Sequence, residues 1–472
     1  MRVKRILATL LAVAGLTGCA TSAAEQSEVD VVVGYQSKTI NTVTAGTLLR
    51  SLGYLEKRLD DLGNRTGKKY KVTWQDYSTG APITAQMVAG KIDIGSMGDY
   101  PLLINASRTQ QFGDGRTKLI AATGYNLLGA LNMVVVPPHS PAHTLTDLRG
   151  KKISASAGSA GHGTTVHALE KAGVPANDVR IQNQAPAVGA SGLQSGAVDA
   201  LGQFVAWPGQ LVFANQARLL YDGSALDLPT WHGVVVREAY AQQHQDVVTE
   251  FLRAQRDATG YLHAHPMDAA IKVATATGLP PEVVYLYNGA GGMVTFDLPL
   301  KRPLVDALAT DAPFLKSIGN IKQLDLGAFV DDQYLRDIYG PDYDRASSTL
   351  DNPAPITGTD TTCGTAVGDP RTAGELWLDG ESTTHPAANP VCLLRAVDAA
   401  QSRGRRVRAA YVPDAATGTR WFADKDYWVA DPVAGPLPFT TEQGARDYSS
   451  GHPGSTIITY AQALTAAGEE HR

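Results

Sequence analysis

The sequence predicts an α/β fold of two similar lobes in tandem, with a smaller α+β module behind them. Three observations carry that expectation. From about Val29 to Tyr343 short apolar strands alternate with helical stretches, which argues sheets that are mostly parallel. Gln86 to Gly95 and Gln194 to Gly202 share one plan, in which a helix stops at a C-cap glycine and a brief strand carrying an aspartate follows; Gly90 and Gly196, like Asp93 and Asp199, stand 106 residues apart. Residues 346–361 then change composition to Pro, Ser, Thr and Gly, which reads as a linker.

At the start of the chain Arg2, Lys4 and Arg5 precede an uncharged, mostly apolar run from Ile6 to Leu16, the charged and apolar regions of an export signal. The run is too short to span a bilayer. Leu16-Thr17-Gly18-Cys19 resembles the bacterial lipobox, which implies cleavage after Gly18 and lipidation of Cys19. Residues 1–18 are therefore expected to be a lipoprotein signal and 19–29 a lipidated polar tether, leaving the protein on the extracytoplasmic face of the cell membrane, held by acyl chains.

Val29 to Gly34 is a buried-strand run, and Leu48, Leu49, Leu52, Leu55, Leu59 and Leu62 predict one helix over 48–62. Val72 to Trp74 is a second strand; after Tyr77 to Ala81, Pro82 sits where a first helical turn tolerates it. Val134-Val135-Val136-Pro137 reads as a strand crossing into the second lobe, and Gly233 to Val236 as the run that returns. The first lobe is thus expected over about 30–130 and 233–345, the second over about 131–232. Glu238 to Thr277 is helical with an interruption at Pro266, and Pro303 to Ile318 is periodic again.

A chain of 472 residues with 43% hydrophobic and 18% charged residues buries ample core and is not globally disordered. Its net charge of −5 gives no basic excess, so nucleic acid is excluded as a partner. Gly158, Gly161 and Gly163 fit neither the dinucleotide fingerprint nor the phosphate loop, and there is no nucleophile elbow or H-E-x-x-H helix. Enzymatic activity is not expected.

Val134 to Pro137, Asp147-Leu148-Arg149-Gly150-Lys151-Lys152-Ile153 and the Gly-Lys-Ile-Asp-Ile-Gly pattern at 90–95 resemble solute-binding proteins of the nitrate, sulfonate and taurine import family. The resemblance covers about residues 30–345, with Asp331 to Tyr339 similar to the closing helix. It implies a two-lobed, type-II periplasmic-binding-protein-like fold, whose lobes close on a hinge over a small ligand and present it to an ABC permease.

The residues support an anion site independently. Tyr35-Gln36-Ser37, Ser78-Thr79-Gly80, Met97-Gly98-Asp99 and Ser156 to Thr165 are strand ends running into helix N-termini, where unpaired N–H groups and a partial positive charge bind anions. Hydroxyls of Ser37, Ser78, Thr79, Thr164 and Thr165 add donors, and Lys38 is the adjoining base. A sulfonate or nitrate suits such dipoles, and a zwitterion such as taurine fits if Asp99 pairs with its ammonium; the commoner role of an aspartate in this place is an N-cap. Ser159, His162 and Gly163 are candidate contacts, with Gln203, Phe204 and Trp207 as walls. A histidine such as His162 is more often a polar loop residue, and Trp207 reads equally as core; Trp231 and His232 are weaker candidates.

In the last 110 or so residues, Glu375 to Gly380 is a strand into a turn, Val391 to Ser402 a helix, Arg406 to Tyr411 and Arg420 to Ala423 strands, and Thr440 to Ser449 a helix. Cys363-Gly364, Cys392-Leu393-Leu394, Tyr427 to Asp431, Pro436 to Phe439 and Glu442 to Arg446 resemble NosL, a copper-binding lipoprotein that assists nitrous oxide reductase maturation. The resemblance covers residues 363–472. The pattern departs from that family where Cu(I) chemistry needs it, because no methionine follows Met293. Cys363 and Cys392 are the soft candidates, with His385 and His452 as imidazoles; disulfide, metal pair and separate thiols are all open. No cofactor or metal site is expected, copper being the alternative. Arg403, Arg405, Arg406 and Arg408 form a basic cluster that reads as a solvated face or a docking patch.

The function expected is that of an extracytoplasmic lipoprotein that binds a small anionic or zwitterionic solute and delivers it to an ABC importer. The alternative is a copper-accessory lipoprotein whose front domain is a scaffold or sensor.

Overall fold

A computed structural model of the chain describes residues 28–469; the expected export signal, Cys19 and nearly all of the tether lie outside the described residues. The first lobe opens with β1 (Glu28–Tyr35), α1 (Thr47–Leu52), α2 (Tyr54–Thr66), β2 (Lys69–Asp76), α3 (Gly80–Val88), β3 (Ile94–Gly98), α4 (Asp99–Thr109) and β4 (Thr117–Asn126). The second lobe holds β5 (Asn132–Val136), β6 (Lys152–Ala155), α5 (Ala160–Lys171), β7 (Arg180–Asn183), α6 (Pro186–Gln194), β8 (Ala200–Phe204), α7 (Trp207–Phe213) and β9 (Arg218–Asp222). The chain returns through β10 (Thr230–Arg237), α8 (Glu238–Gln243), α9 (Gln245–Ala264), α10 (Pro266–Thr277), α11 (Pro281–Asn288), β11 (Thr295–Phe296), α12 (Arg302–Ser317), α13 (Leu326–Phe329), α14 (Gln333–Tyr339) and α15 (Tyr343–Ser348).

The first sheet runs β11-β4-β10-β3-β1-β2 and the second β7-β6-β8-β5-β9. Neither is mostly parallel. β1 pairs parallel with β2 and β3, and β6 with β7 and β8, but β10 and β5 lie antiparallel to both their neighbours. The reason is the route of the chain. Right-handed crossover helices deliver parallel strands, whereas β5 and β10 arrive directly from the other lobe, a path that local periodicity does not reveal.

The helix expected over 48–62 is two helices. Gly53 takes φ 65° and separates α1 from α2, while Leu55, Leu59 and Leu62 still line one buried face. Helical structure over 238–277 breaks at His265 as Pro266 predicts, and again at His244, where no proline marks it.

The rear module comprises β12 (Gly358–Asp360), β13 (Thr365–Val367), β14 (Gly374–Leu378), β15 (His385–Ala387), α16 (Pro390–Ser402), β16 (Val407–Pro413), β17 (Arg420–Phe422), β18 (Tyr427–Asp431), β19 (Gly435–Phe439), α17 (Glu442–Gly451), β20 (Thr456–Ile458) and α18 (Tyr460–Glu469). Its sheets are β15-β14-β16-β17 and β19-β18-β20, with β12 and β13 as a hairpin.

Cys363 and Cys392 form a disulfide, their Cα atoms 5.9 Å apart, which ties that hairpin to α16. With the two positions 29 apart in sequence, loop closure gives a stabilisation of roughly 3.5 kcal/mol. Cys363→Ser should therefore lower the module's unfolding midpoint by several degrees, read by calorimetry of the non-reduced protein.

The segment expected to be a linker is fastened down. Ile356 is buried with Val367 and Ala373 beside Ala290, and the Gly291 N–H donates to the Ala354 carbonyl at 2.8 Å. Gly291 makes room for it, because a Cβ there would meet Ile356 Cγ1 at 2.7 Å.

Behind this strap the module shares a hydrophobic core with the lobes: Trp377, Tyr411, Trp421 and Phe422 cluster with Tyr285 and Tyr287 of α11, and Phe213 packs on Phe422 at 5.2 Å. Arg408 Nε donates to Glu282 at 2.7 Å and Tyr411 Oη to the Glu282 carbonyl at 2.9 Å. The basic cluster thus divides, Arg408 docking on α11 while Arg405 pairs with Glu381 inside the module.

Candidate functional site

Four helices begin at one cavity of about 280 Å³ between the lobes. α3 and α4 start at Thr79 and Gly98, α5 and α6 at Ser159 and Ala185. α3, α4 and α5 are entered through Ser78-Thr79, Gly98 and Ser156 to Ser159, small residues that let backbone amides approach the space, whereas α6 is entered through Asn183 and Gln184.

Gln36, Ser78, Thr79, Gly80 and Gly98 line the cavity from the first lobe, Ser156 to Ala160 and Asn183 to Ala185 from the second, and His232 from β10. Pro101, Ile104 and Phe204 supply apolar wall. None of the lining residues, among those described, carries an Asp, Glu, Lys or Arg side chain. Ser156 Oγ donates to the Gln184 carbonyl at 2.8 Å and accepts from Gln203 Nε2 at 3.0 Å, so Gln203 orients a lining hydroxyl from one layer behind. The His232 ring lies against Gly98, with Nδ1 2.5 Å from Asn41 Nδ2, and burial pushes its pKa down to about 3. His232 is therefore uncharged at neutral pH.

The structure brings Gln36, Ser78, Thr79, Gly80, Gly98, Ser159, Phe204 and His232 together at the cavity, and places the other candidates around it. Tyr35 Oη accepts from Arg50 at 2.8 Å, and Ser37 caps onto Asp76. Met97 is buried, with its Sδ accepting from Thr84 Oγ1 at 3.8 Å. Asp99 is fully buried; its carboxylate accepts from the Tyr100 and Trp231 amides at 2.8 and 3.2 Å and gives the cavity no counter-charge. His162 Nδ1 accepts from the Gly158 amide at 3.3 Å, and burial lowers its pKa.

Gly163 faces the Tyr100 ring across the lobes. Thr164 Oγ1 accepts from Asn132 at 3.0 Å, and half-buried Trp207 lies 6.0 Å from Lys38 Nζ. The displaced positions on α5 are each taken by a neighbour: His162 by the Gly158 amide, Gly163 by the Tyr100 ring and Thr164 by Asn132.

Asn183, Gln184 and Ala185 escaped the sequence reading, although Ala185-Pro186 repeats the small-residue-then-proline entry of Ala81-Pro82. Thr84, Pro101 and Ile104 had no signal beyond helical spacing.

The lobes also meet beside the cavity. Phe314 of α12 sets its ring against Tyr100, His162 and His167 at 5.9, 5.7 and 5.1 Å. Tyr100 Oη donates to Asp311 Oδ1 at 3.0 Å. Burial raises the Asp99 pKa to about 7, and burial together with the nearby Asp99 raises that of Asp311. A carboxyl raised in the folded state keeps its proton better there than in the unfolded chain. Its stabilisation is whole below the ordinary aspartate range and is lost as pH climbs towards about 7. The protein should melt at a higher temperature near pH 5 than near pH 8, and Asp99→Asn should shrink that difference, both measured by calorimetry.

In the rear module Asp360, Cys363 and Cys392 lie within 4.8 Å of one another. The trio does not fit a metal as it stands: the disulfide uses both sulfurs, and Asp360 accepts from the Thr362, Cys363 and Ala388 amides at 2.8 to 2.9 Å. His385 instead pairs with Glu381, and His452 stacks on Tyr448 at 3.8 Å.

Residues 123–269 match the NMT1/THI5-like family. The chain is 26% identical over 279 residues to a putative aliphatic sulfonates-binding protein of Escherichia coli K12, covering 59% of this chain and 81% of that one. It is 27% identical over 266 residues to the taurine-binding periplasmic protein of the same organism, covering 53% and 78%. Among solved structures, the alkanesulfonate-binding protein SsuA from Xanthomonas axonopodis pv. citri, bound to MOPS, superposes with a TM-score of 0.53 at 22% identity, over 64% of this chain and 98% of that one. SsuA from Escherichia coli gives 0.51 at 21%, over 64% and 96%.

The front domain thus has the two-lobed α/β fold of type-II periplasmic binding proteins. Its matched relatives are named as sulfonate- and taurine-binding proteins. Nothing in these comparisons supports a NosL-like module at residues 363–472.

Proposed function

We propose that the protein captures a small organic monoanion, an aliphatic sulfonate by class, between its lobes and presents it to an ABC permease. The carrying observation is the convergence of four helix N-termini on a cavity whose lining holds no ionised side chain and whose far wall is Pro101, Ile104 and Phe204. Oriented amides neutralise the anionic head. The apolar wall takes a carbon tail, which nitrate lacks. A taurine ammonium would enter without a carboxylate partner, since Asp99 is engaged elsewhere, and an unpaired buried charge is costly.

Ligand contacts from both lobes favour the closed arrangement, which the permease then reads. Cys19, lipidated, would hold the protein at the extracytoplasmic face. The copper-accessory alternative draws on the resemblance of residues 363–472 and requires the Cys363–Cys392 disulfide to be reduced.

Titration calorimetry with ethanesulfonate, taurine, nitrate and Cu(I) tests the reading. Ethanesulfonate should bind about tenfold or more tighter than taurine, a difference of roughly 1.4 kcal/mol. Taurine binding as tightly as ethanesulfonate would overturn the preference, and binding of Cu(I) alone would favour the accessory role.

A further inference from the structure

We propose that the rear module is a brace across the hinge, narrowing the range of angles the two ligand-free lobes adopt so that only a short closing step is left for the ligand. The lobes are joined where β4 passes to β5 and where β9 passes to β10. These two crossings touch each other, for a Cβ on Gly129 would lie 3.0 Å from the Gly223 carbonyl oxygen.

The module grips the second crossing directly. Thr417 Oγ1 donates to Asp222 Oδ2 at 3.2 Å and Thr419 Oγ1 to Ser224 Oγ at 3.0 Å. On the body of the second lobe, Lys425 Nζ donates to Asn215 at 2.9 Å and Glu442 pairs with His143 at 2.6 Å.

Its other hold is on α11, through Arg408 and Tyr411 to Glu282 and through Glu375 to the Tyr285 hydroxyl at 3.0 Å. That helix belongs with the first lobe: Asn288 Nδ2 donates to the Ile40 carbonyl at 3.0 Å, and the strand that follows, β11, pairs with β4. One rigid unit is therefore bonded to both sides of the hinge.

Bending must shear one set of these contacts. Between the two sets lies the Arg420–Glu375 ion pair at 2.5 Å, with side chains 5% and 4% exposed; the guanidinium also donates to the Ala290 carbonyl and lies 4.6 Å from the Tyr411 ring. A buried pair of this kind fixes geometry, because separating its members strands a charge. The Thr419–Ser224 bond is buried too, so water does not replace it when it slides. A ligand then meets a cleft already near its bound angle and spends less of its binding energy on closure.

The inference does not depend on which solute binds. Its test is double electron–electron resonance on the full chain, with spin-labelled amino acids incorporated at exposed Gln111 and Asn177, one on each lobe. Ligand-free wild type should give one narrow distance distribution. Thr417→Val, Thr419→Val and Lys425→Ala together should add a longer, broader population, raised several-fold. Near-ultraviolet dichroism of buried Trp421 reports whether the module stays folded. If the triple variant does not fold, Lys425→Ala with Glu442→Ala, which removes only more exposed contacts, is read instead. A ligand-free wild type already as broad as the variant, or a folded variant as narrow as wild type, would overturn the brace.

Discussion

A chain ending at Ser348 should melt roughly 10 °C or more below the whole protein, or aggregate, although it retains both lobes and every residue that lines the cavity. Removing the module strips Trp377, Tyr411, Trp421 and Phe422 from the core that they share with α11. Each large side chain that loses such burial costs roughly 2 to 3 kcal/mol. Tyr285 and Phe213 would face water, and Glu282 and Asp222 would lose Arg408 and Thr417 as partners. Differential scanning calorimetry and size-exclusion chromatography of the two chains check this. Equal midpoints would show that the module is held by a surface contact rather than a shared core.

Gly163→Ala should weaken ethanesulfonate binding about tenfold or more, even though Gly163 does not line the cavity. A Cβ at this position would overlap the Tyr100 ring. That ring cannot swing aside, because its hydroxyl is tied to Asp311 and its edge packs on Phe314. The added methyl must therefore push α5 away from α4, separating the lobes on the cleft side, with an overpacking penalty of about 1–3 kcal/mol. Tyr100→Leu on the same chain should restore most of the affinity by opening the space. Calorimetric titration of the single and double variants reads this, and an unchanged affinity in Gly163→Ala would exclude the contact from closure.

Much of the architecture was legible because it is local. The echo between Gly90-Asp93 and Gly196-Asp199 marks equivalent helix-to-strand turns, and in both lobes the aspartate oxygen caps the backbone of a neighbouring strand: Asp93 accepts from Val32 at 3.0 Å, Asp199 from Lys152 at 2.8 Å. Ser78-Thr79-Gly80 and Ser159 declare helix starts by residue type alone. What stayed hidden depends on partners far along the chain. The Tyr100 amide takes one oxygen of Asp99 locally, but its second oxygen is taken by Trp231 from 132 residues away, which no local pattern reveals. Ile356 sits in a segment whose composition says linker, and the notch that receives it is Gly291 in another element. The three fates open to Cys363 and Cys392 reduce to one because α16 brings the second sulfur to the first.

The uncharged lining of the cavity has a consequence for the conditions under which capture works. Backbone amides do not titrate, and His232, with its pKa pushed down to about 3, is already neutral well below physiological acidity. A sulfonate keeps its charge over the same span. The lining therefore adds no pH dependence of its own; Asp99, the residue after cavity-lining Gly98, titrates at about 7 and both destabilises the fold and adds negative charge beside the anion site as alkalinity rises. One buried carboxyl thus couples endurance to recognition, so that a fall in affinity and a fall in melting temperature should set in over the same pH interval.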